Sequence, residues 1–404
     1  MRKIDTRDFR SATRSTSRQI NRQIALNLVR EHQPISRAEL ARRMKVGRAT
    51  VTALVNELLA DGSIYEGEFA RAPRGRKPMM LHVRTRDRLV IAVDVRFSRT
   101  YVMLSDFSGT QIALETFETM VDRDTLLDEI ALRVHRLLRA HGAEGSCEGI
   151  GVVIPGMVNR ESGHVLYAPQ LGWRNVEVSS ALAERTGLPV HIENAPIACA
   201  LAQLWLGQRG AATEDFVFVV VSDGVGVGAV VNGDVVHGHS HTGGEFGHIP
   251  LVPGGPRCLC GADGCLEALT SNLATIARYL GREITSPDLR EILQGGGPTI
   301  DDVVTRAHGG DQHAQEALQE TGRYLGLGLS SIVNGLNPAQ IYLAGEITGA
   351  WDLIGPGIRA EIARRGLTPE AARTPVIPEP TPYPRLRGAI ALVAAPVFAA
   401  PRVG

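Results

Sequence analysis

Hydrophobic positions in the first part of the chain recur at helical intervals. Ile20, Ile24 and Leu28, with Ala25 beside them, share one face of a helix over 21–31. After His32-Gln33-Pro34, the run Ser36-Arg37-Ala38-Glu39 has the spacing of a capping box, so a second helix opens there and continues through Met44. Gly47 breaks the chain. A third helix spans about 48–60, because Val51, Leu54, Val55, Leu58 and Leu59 fall at i, i+3, i+4, i+7 and i+8, and Asp61-Gly62 stops it. Helix, helix, short turn, helix is the order of a helix-turn-helix. Two short runs, Ile64-Tyr65-Glu66 and 79–83, then predict a hairpin over 63–83.

The pattern changes at Arg88. LVIAVDV, TYVMLSD and QIALETF are three β-rich runs separated by short turns, the second turn being Phe107-Ser108-Gly109-Thr110. A helix over about 124–140 and the strand GIGVVIPG follow, and FVFVVV and SDGVGVGAVVNG begin a second set near Asp215. Residues 310–335 include an amphipathic stretch and 389–400 read as an apolar C-terminal helix; core packing accounts for both. This part belongs to the α/β class, and periodicity alone goes no further.

At 404 residues the chain has length for two or three domains. Its 44% hydrophobic and 21% charged residues fit a soluble globular protein, and no run of 18 or more apolar residues offers a membrane span. The start, MRKIDTRDFR, lacks the apolar core of a signal peptide, so a cytoplasmic location with reduced thiols is expected. Net charge is zero, but unevenly so. Residues 1–90 hold 20 Lys and Arg against 9 Asp and Glu, a surplus of +11, and the remainder carries −11. All three lysines, Lys3, Lys45 and Lys77, sit in the basic part. A basic module joined to an acidic one suggests a nucleic-acid reader attached to something else.

Three helices followed by a basic hairpin favour the expectation of a DNA reader over a small bundle with a solvated polar face. The third helix exposes Arg48, Thr50, Thr52, Ala53 and Asn56 opposite its apolar stripe. Arg can fork onto guanine, Asn can fork onto adenine, and a Thr methyl can pack on thymine. The helix N-terminus favours phosphate through its unpaired N–H groups. The hairpin tip holds Arg71, Arg74, Gly75, Arg76, Lys77 and Pro78, a flat basic segment suited to a narrow minor groove. The expectation is a winged helix-turn-helix over 1–86, with Arg48, Thr50, Thr52, Asn56, Arg74, Arg76 and Lys77 on double-stranded DNA.

Further along, GHIPLVPGGPRCLCGADGCLE gathers His248, Cys258, Cys260 and Cys265. A Cys-x-Cys pair is too close for an easy disulfide, and Gly261 and Gly264 supply turns that let three sulfurs converge. One His and three Cys make a closed tetrahedral Zn2+ site, with no position left for a reactive water, so the zinc is expected to be structural.

Glu245 in GGEFGH, together with CxCGxxGCxE ending at Glu267, resembles the signature of the ROK family of sugar kinases and sugar-responsive repressors. The resemblance extends over nearly the whole chain, since a matching DNA-binding front end precedes it. It implies a two-lobed, actin-like or ribonuclease-H-like ROK domain over 87–404, one lobe being about 87–205 plus the C-terminal helix and the other 206–385. By the same resemblance Asn194, Glu245, His248 and Glu267 match positions that hydrogen-bond sugar hydroxyls, chemistry that suits these side chains. His248 would serve zinc with one ring nitrogen and the ligand with the other. Gly156 and the segment 169–173 would line the same cleft.

Departures from the kinase pattern are as informative. Kinases of the family carry a first phosphate turn typically reading Asp-x-Gly-Gly-Thr; here it is Asp94-Val95-Arg96-Phe97-Ser98, without either glycine. The second turn, 222–226, has Asp223 where kinases usually carry Thr, and the third contact is Leu343-Ala344-Gly345-Glu346. The base of the kinase Asn-Asp pair is replaced by Ala195 after Asn194, and Glu193 would point elsewhere. The reading is therefore a repressor with no catalytic residues. It binds an inverted-repeat operator as a homodimer or dimer of dimers, and answers a sugar or sugar phosphate. The alternative is an ATP-dependent sugar kinase with a DNA-binding domain.

Overall fold

The computed structural model describes residues 14–69, 78–207, 214–282 and 297–399. They fall into two compact units, 1–89 with 106–108 and 394–404, and 90–105 with 109–393. Among the described residues no helix is long and apolar enough to cross a membrane.

The first unit has helices α1 (Arg14–His32), α2 (Arg37–Met44) and α3 (Arg48–Ala60) with strands β1 (Ile35–Ser36), β2 (Ile64–Phe69) and β3 (Met79–Val83). The strands form one sheet in the order β1-β3-β2, with Ile35 opposite Leu81 and Ile64 opposite Val83. Val51, Leu54, Val55 and Leu58 of α3 are buried, as their spacing requires. The first helix begins earlier than its apolar pattern indicates, and its buried seam is Ala25, Leu26 and Val29, whereas Ile24 is 43% exposed. Apolar residues lie on two adjoining faces of α1, and the packing uses the 25/26/29 face. The capping box is half formed. Ser36 accepts from the Glu39 N–H, but the Glu39 carboxylate pairs with Arg42 and Arg43 at i+3 and i+4 instead of reaching back.

The second unit holds two five-stranded sheets. One, in the order β11-β7-β4-β5-β6, contains β4 (Leu89–Val95), β5 (Arg99–Asp106), β6 (Gln111–Glu118), β7 (Cys147–Ile154) and β11 (Val190–Asn194). The other, β14-β13-β12-β15-β16, contains β12 (Phe216–Val221), β13 (Val225–Val231), β14 (Asp234–Val235), β15 (Gln340–Ala344) and β16 (Val376–Pro378). A small sheet of β8 (Met157–Asn159), β9 (His164–Ala168) and β10 (Trp173–Glu177) adjoins them in sequence, lying between helices α4 (Arg123–Ala140) and α5 (Ser179–Thr186) along the chain. Strand β12 is buried along its whole length, which is why FVFVVV runs apolar without alternation. Helix Gln312–Leu336 lays Leu318, Leu325, Leu329 and Ile332 into the core beneath that sheet. The C-terminal helix runs Pro384–Phe398, starting five residues before the apolar run that announces it.

Candidate functional site

A cavity of about 160 Å³ in the second unit is lined by Gly156, Asn194, Glu245, His248 and Glu267, so the five residues expected to meet a sugar surround a single space. One ordered water needs only ~10–15 Å³ on this measure, so the space admits a ligand of many atoms. Pro169 and Gln170 also line it, whereas Trp173 is buried on β10 away from the lining.

Each polar group is fixed by its element. Asn194 ends β11 and caps helix α6 (Ala195–Leu206), its Oδ1 accepting from the Ile197 N–H at 3.0 Å, so Nδ2 is the end left to donate into the cavity. The neighbouring Glu193 is buried on the other side. Its Oε1 accepts from the Asn194 N–H, and its Oε2 lies 3.5 Å from His237 Nε2, outside the lining. Glu267, in the first turn of α7 (Leu266–Thr270), accepts from the Val225 N–H at 3.0 Å and so pins the 222–226 turn. Burial pushes the Glu245 carboxyl up against the pull of His248, and Glu267 adds to the rise.

His248 connects the cavity to the thiols. Its Nε2 stands 3.9 Å from Glu245, while its Nδ1 is 3.6 Å from Cys258 Sγ. The ligand atoms of His248, Cys258, Cys260 and Cys265 all lie within 4.8 Å of one another, and the Cys260 and Cys265 sulfurs are 3.7 Å apart. A tetrahedral ion with bonds of ~2.3 Å to sulfur separates them by ~3.8 Å, whereas a disulfide requires about 2.05 Å. The donor set fits a metal ion. Gly264 makes the convergence possible: at φ +69°, a Cβ there would stand 1.7 Å from the Val252 carbonyl oxygen. Burial pushes the Cys258 and Cys265 thiols up, and a bound cation would supply the charge that ionises them.

Around the 94–98 turn an ion network stands. Wholly buried Asp94 lies between Arg96 and Arg385, each at 2.8 Å, and Arg96 also reaches Glu346 at 2.8 Å. Asn272 donates to the second Glu346 oxygen at 3.0 Å. Burial alone would lower the Arg96 pKa, but Asp94 and Glu346 outweigh it and hold the guanidinium charged. Burial pushes the Asp223 carboxyl up, and Glu346 pushes the same way. The retained glycines have packing causes. A Cβ at Gly224 would meet Glu267 Oε2 at 2.6 Å, and one at Gly345 the Val221 carbonyl at 1.7 Å. Sequence reasoning missed Arg385, Glu346 and Asn272 as partners; the one local signal was an arginine two residues after Asp94.

In the first unit, Arg48, Thr50, Thr52 and Asn56 are all exposed on α3. Thr52 spends its hydroxyl hydrogen on the Arg48 carbonyl at 2.9 Å, leaving its methyl for contact. Asn56 Oδ1 accepts from Arg37, a residue the sequence pattern did not single out. Arg74, Arg76 and Lys77 lie outside the described residues.

A model described as the ROK family matches residues 90–395. The xylose repressor of Bacillus subtilis (strain 168) is 27% identical over 353 residues, 86% of this chain and 88% of that protein. The DNA-binding transcriptional dual regulator NagC of Escherichia coli (strain K12) is 29% identical over 382 residues, 93% of this chain and 92% of that one. Among solved structures, a ROK family transcriptional regulator described as a homolog of the E. coli MLC protein is similar with a TM-score of 0.78 at 26% identity, covering 95% of this chain and 97% of its own. A ROK family glucokinase from Streptomyces griseus, in complex with glucose and AMPPNP, gives a TM-score of 0.64 at 26% identity, covering 77% of this chain and 99% of that one.

Proposed function

The chain belongs to the ROK family, and on that premise we propose that it is a sugar-responsive transcriptional repressor that has lost phosphotransfer. Its first unit is a winged helix-turn-helix that binds an inverted-repeat operator as a dimer. Arg48, Thr50, Thr52 and Asn56 face the bases, and Arg74, Arg76 and Lys77 serve as the wing. Its second unit takes a sugar or sugar phosphate on Gly156, Asn194, Glu245, His248 and Glu267. His248, Cys258, Cys260 and Cys265 hold a structural zinc ion, which would lock the loop that presents Glu245 and His248.

The observation that supports this reading best is the company the cavity keeps. Five groups suited to a sugar line one space, yet Ala195 stands where a base is needed to take the hydroxyl proton. Arg96, already paired with Asp94 and Glu346, occupies the turn where glycines let a kinase backbone approach phosphate. The test is a thermal-shift panel of free sugars and sugar phosphates, since selective binding raises apparent stability. Assays for ATP-dependent phosphorylation of each hit run in parallel. The expected result is a selective stabiliser, no phosphorylated product and one zinc per chain. Steady product formation that disappears with Glu245→Ala would establish the kinase reading instead.

A further inference from the structure

Asn56 is not a free amide. Its Oδ1 accepts from Arg37 Nη1 at 3.0 Å, and the other arm of the same guanidinium reaches Glu66 at 2.8 Å. Both anchors are fixed. Arg37 opens α2 immediately after Ser36, which pairs with Met80 in the sheet and also caps the helix. Glu66 sits on β2 opposite Leu81. Arginine has only donors, so the amide oxygen must face it and the amide nitrogen must face away. The two ends of the Asn56 side chain are therefore not interchangeable.

We propose that Arg37 is a positioning residue that fixes the amide orientation of Asn56 and so sets which base pair α3 accepts at that place. This rests on the reading of the first unit as a DNA-binding module. Adenine presents an N7 acceptor beside an N6 donor, and reversing the pair from A·T to T·A reverses that order across the major groove. An unrestrained asparagine can rotate its amide and meet either order. One held at its oxygen meets only one. Arg37 and Glu66 keep side-chain exposures of 31% and 28%, and ion pairs so exposed add little to stability. Orientation is the consequence that remains.

The experiment measures operator affinity for the full-length protein on duplexes in which each base pair of a half-site is reversed in turn. Wild type is expected to prefer one orientation of an A·T pair at a single position by about tenfold, within the range of one bidentate contact. Arg37→Met, which keeps the aliphatic stem but no donor, reduces that ratio to about twofold and leaves every other position unchanged. Arg37→Lys, whose ammonium can still donate to Oδ1, restores part of it. Asn56→Ala removes the preference, after which Arg37→Met has no further effect. Should Arg37→Met fail to fold, Glu66→Ala, which frees the other arm of the guanidinium, must lower the same ratio. An unchanged ratio in Arg37→Met overturns the proposal, as does an equal loss of affinity on all sequences, which would mark Arg37 as a phosphate contact. If wild type binds no duplex, the DNA-binding reading fails and this inference with it; binding with the ratio unmoved fails the inference alone.

Discussion

Asp94 is the residue on which the ion network of the 94–98 turn depends. It is wholly buried and relies on Arg385, itself 8% exposed in its side chain, and on the more accessible Arg96 at 20%. Removing one member of a buried pair strands the other charge at a cost of about 3–5 kcal/mol. Arg385→Ala should therefore destabilise the second unit by about that much in urea unfolding. Arg96→Ala should cost less, because Asp94 keeps Arg385 and the vacated space opens to the cavity. Asp223 gives a pH signature. Its folded pKa is raised by burial and then by Glu346, above an ordinary value of 3.8. A carboxyl raised on folding costs nothing below the unfolded value, where both states are protonated; the cost grows as pH rises from there and is complete above its folded pKa. Asp223→Asn should accordingly stabilise the protein at neutral pH, with the gain shrinking as pH falls towards 3.8. Denaturation curves of both proteins across that range check the sign; a gain that grows in acid would contradict it.

Helix α6 ties the cavity to the fold. Asn194 both caps it and lines the space, so two roles share one side chain. Asn194→Ala should lose about 1 kcal/mol through the missing cap. Asn194→Asp keeps an acceptor at a helix N-terminus, where negative charge is favoured, and should retain stability while losing the Nδ2 donor and with it effector affinity. Equal effector affinity in Asn194→Asp and wild type would remove Asn194 from the ligand contacts. The same element scale explains what the sequence could and could not disclose. Helices Arg37–Met44 and Arg48–Ala60 were legible because caps and i, i+3, i+4 spacing are local properties. So was the thiol cluster, three of whose ligands fall within eight positions. The seam of α1 was not, since its apolar residues occupy two adjoining faces and only packing chooses Ala25, Leu26 and Val29 over Ile24. Least legible was the ion network around the 94–98 turn. Arg96 and Glu346 are 250 residues apart, and nothing in the local pattern of either announces the other.

At the scale of the whole molecule, opposite charge surpluses separate two tasks. Residues 1–90 carry +11 and the remainder −11, so operator affinity should fall steeply with salt while the cavity's affinity for an uncharged sugar changes little. Any test of their coupling must hold salt fixed. A ligand shifts DNA affinity only by as much as it prefers one arrangement of the protein over another. His248 is the group through which such a preference would reach the metal loop, because one ring nitrogen faces Glu245 at the cavity and the other faces Cys258. The effector is expected to lower operator affinity by about 1–3 kcal/mol, a usual coupling range. Glu245→Ala should abolish that response and leave effector-free DNA binding nearly intact. Glu267→Ala should abolish it too, but less cleanly, because the Val225 N–H loses its acceptor and the 222–226 turn loosens. His248→Ala should damage response and stability together, since it removes one of the four groups that could hold a metal as well as a cavity wall. Operator titrations by fluorescence anisotropy, at constant salt and with the stabilising sugar varied, decide the matter. A full response in both glutamate variants would mean that the sugar acts somewhere other than this cavity.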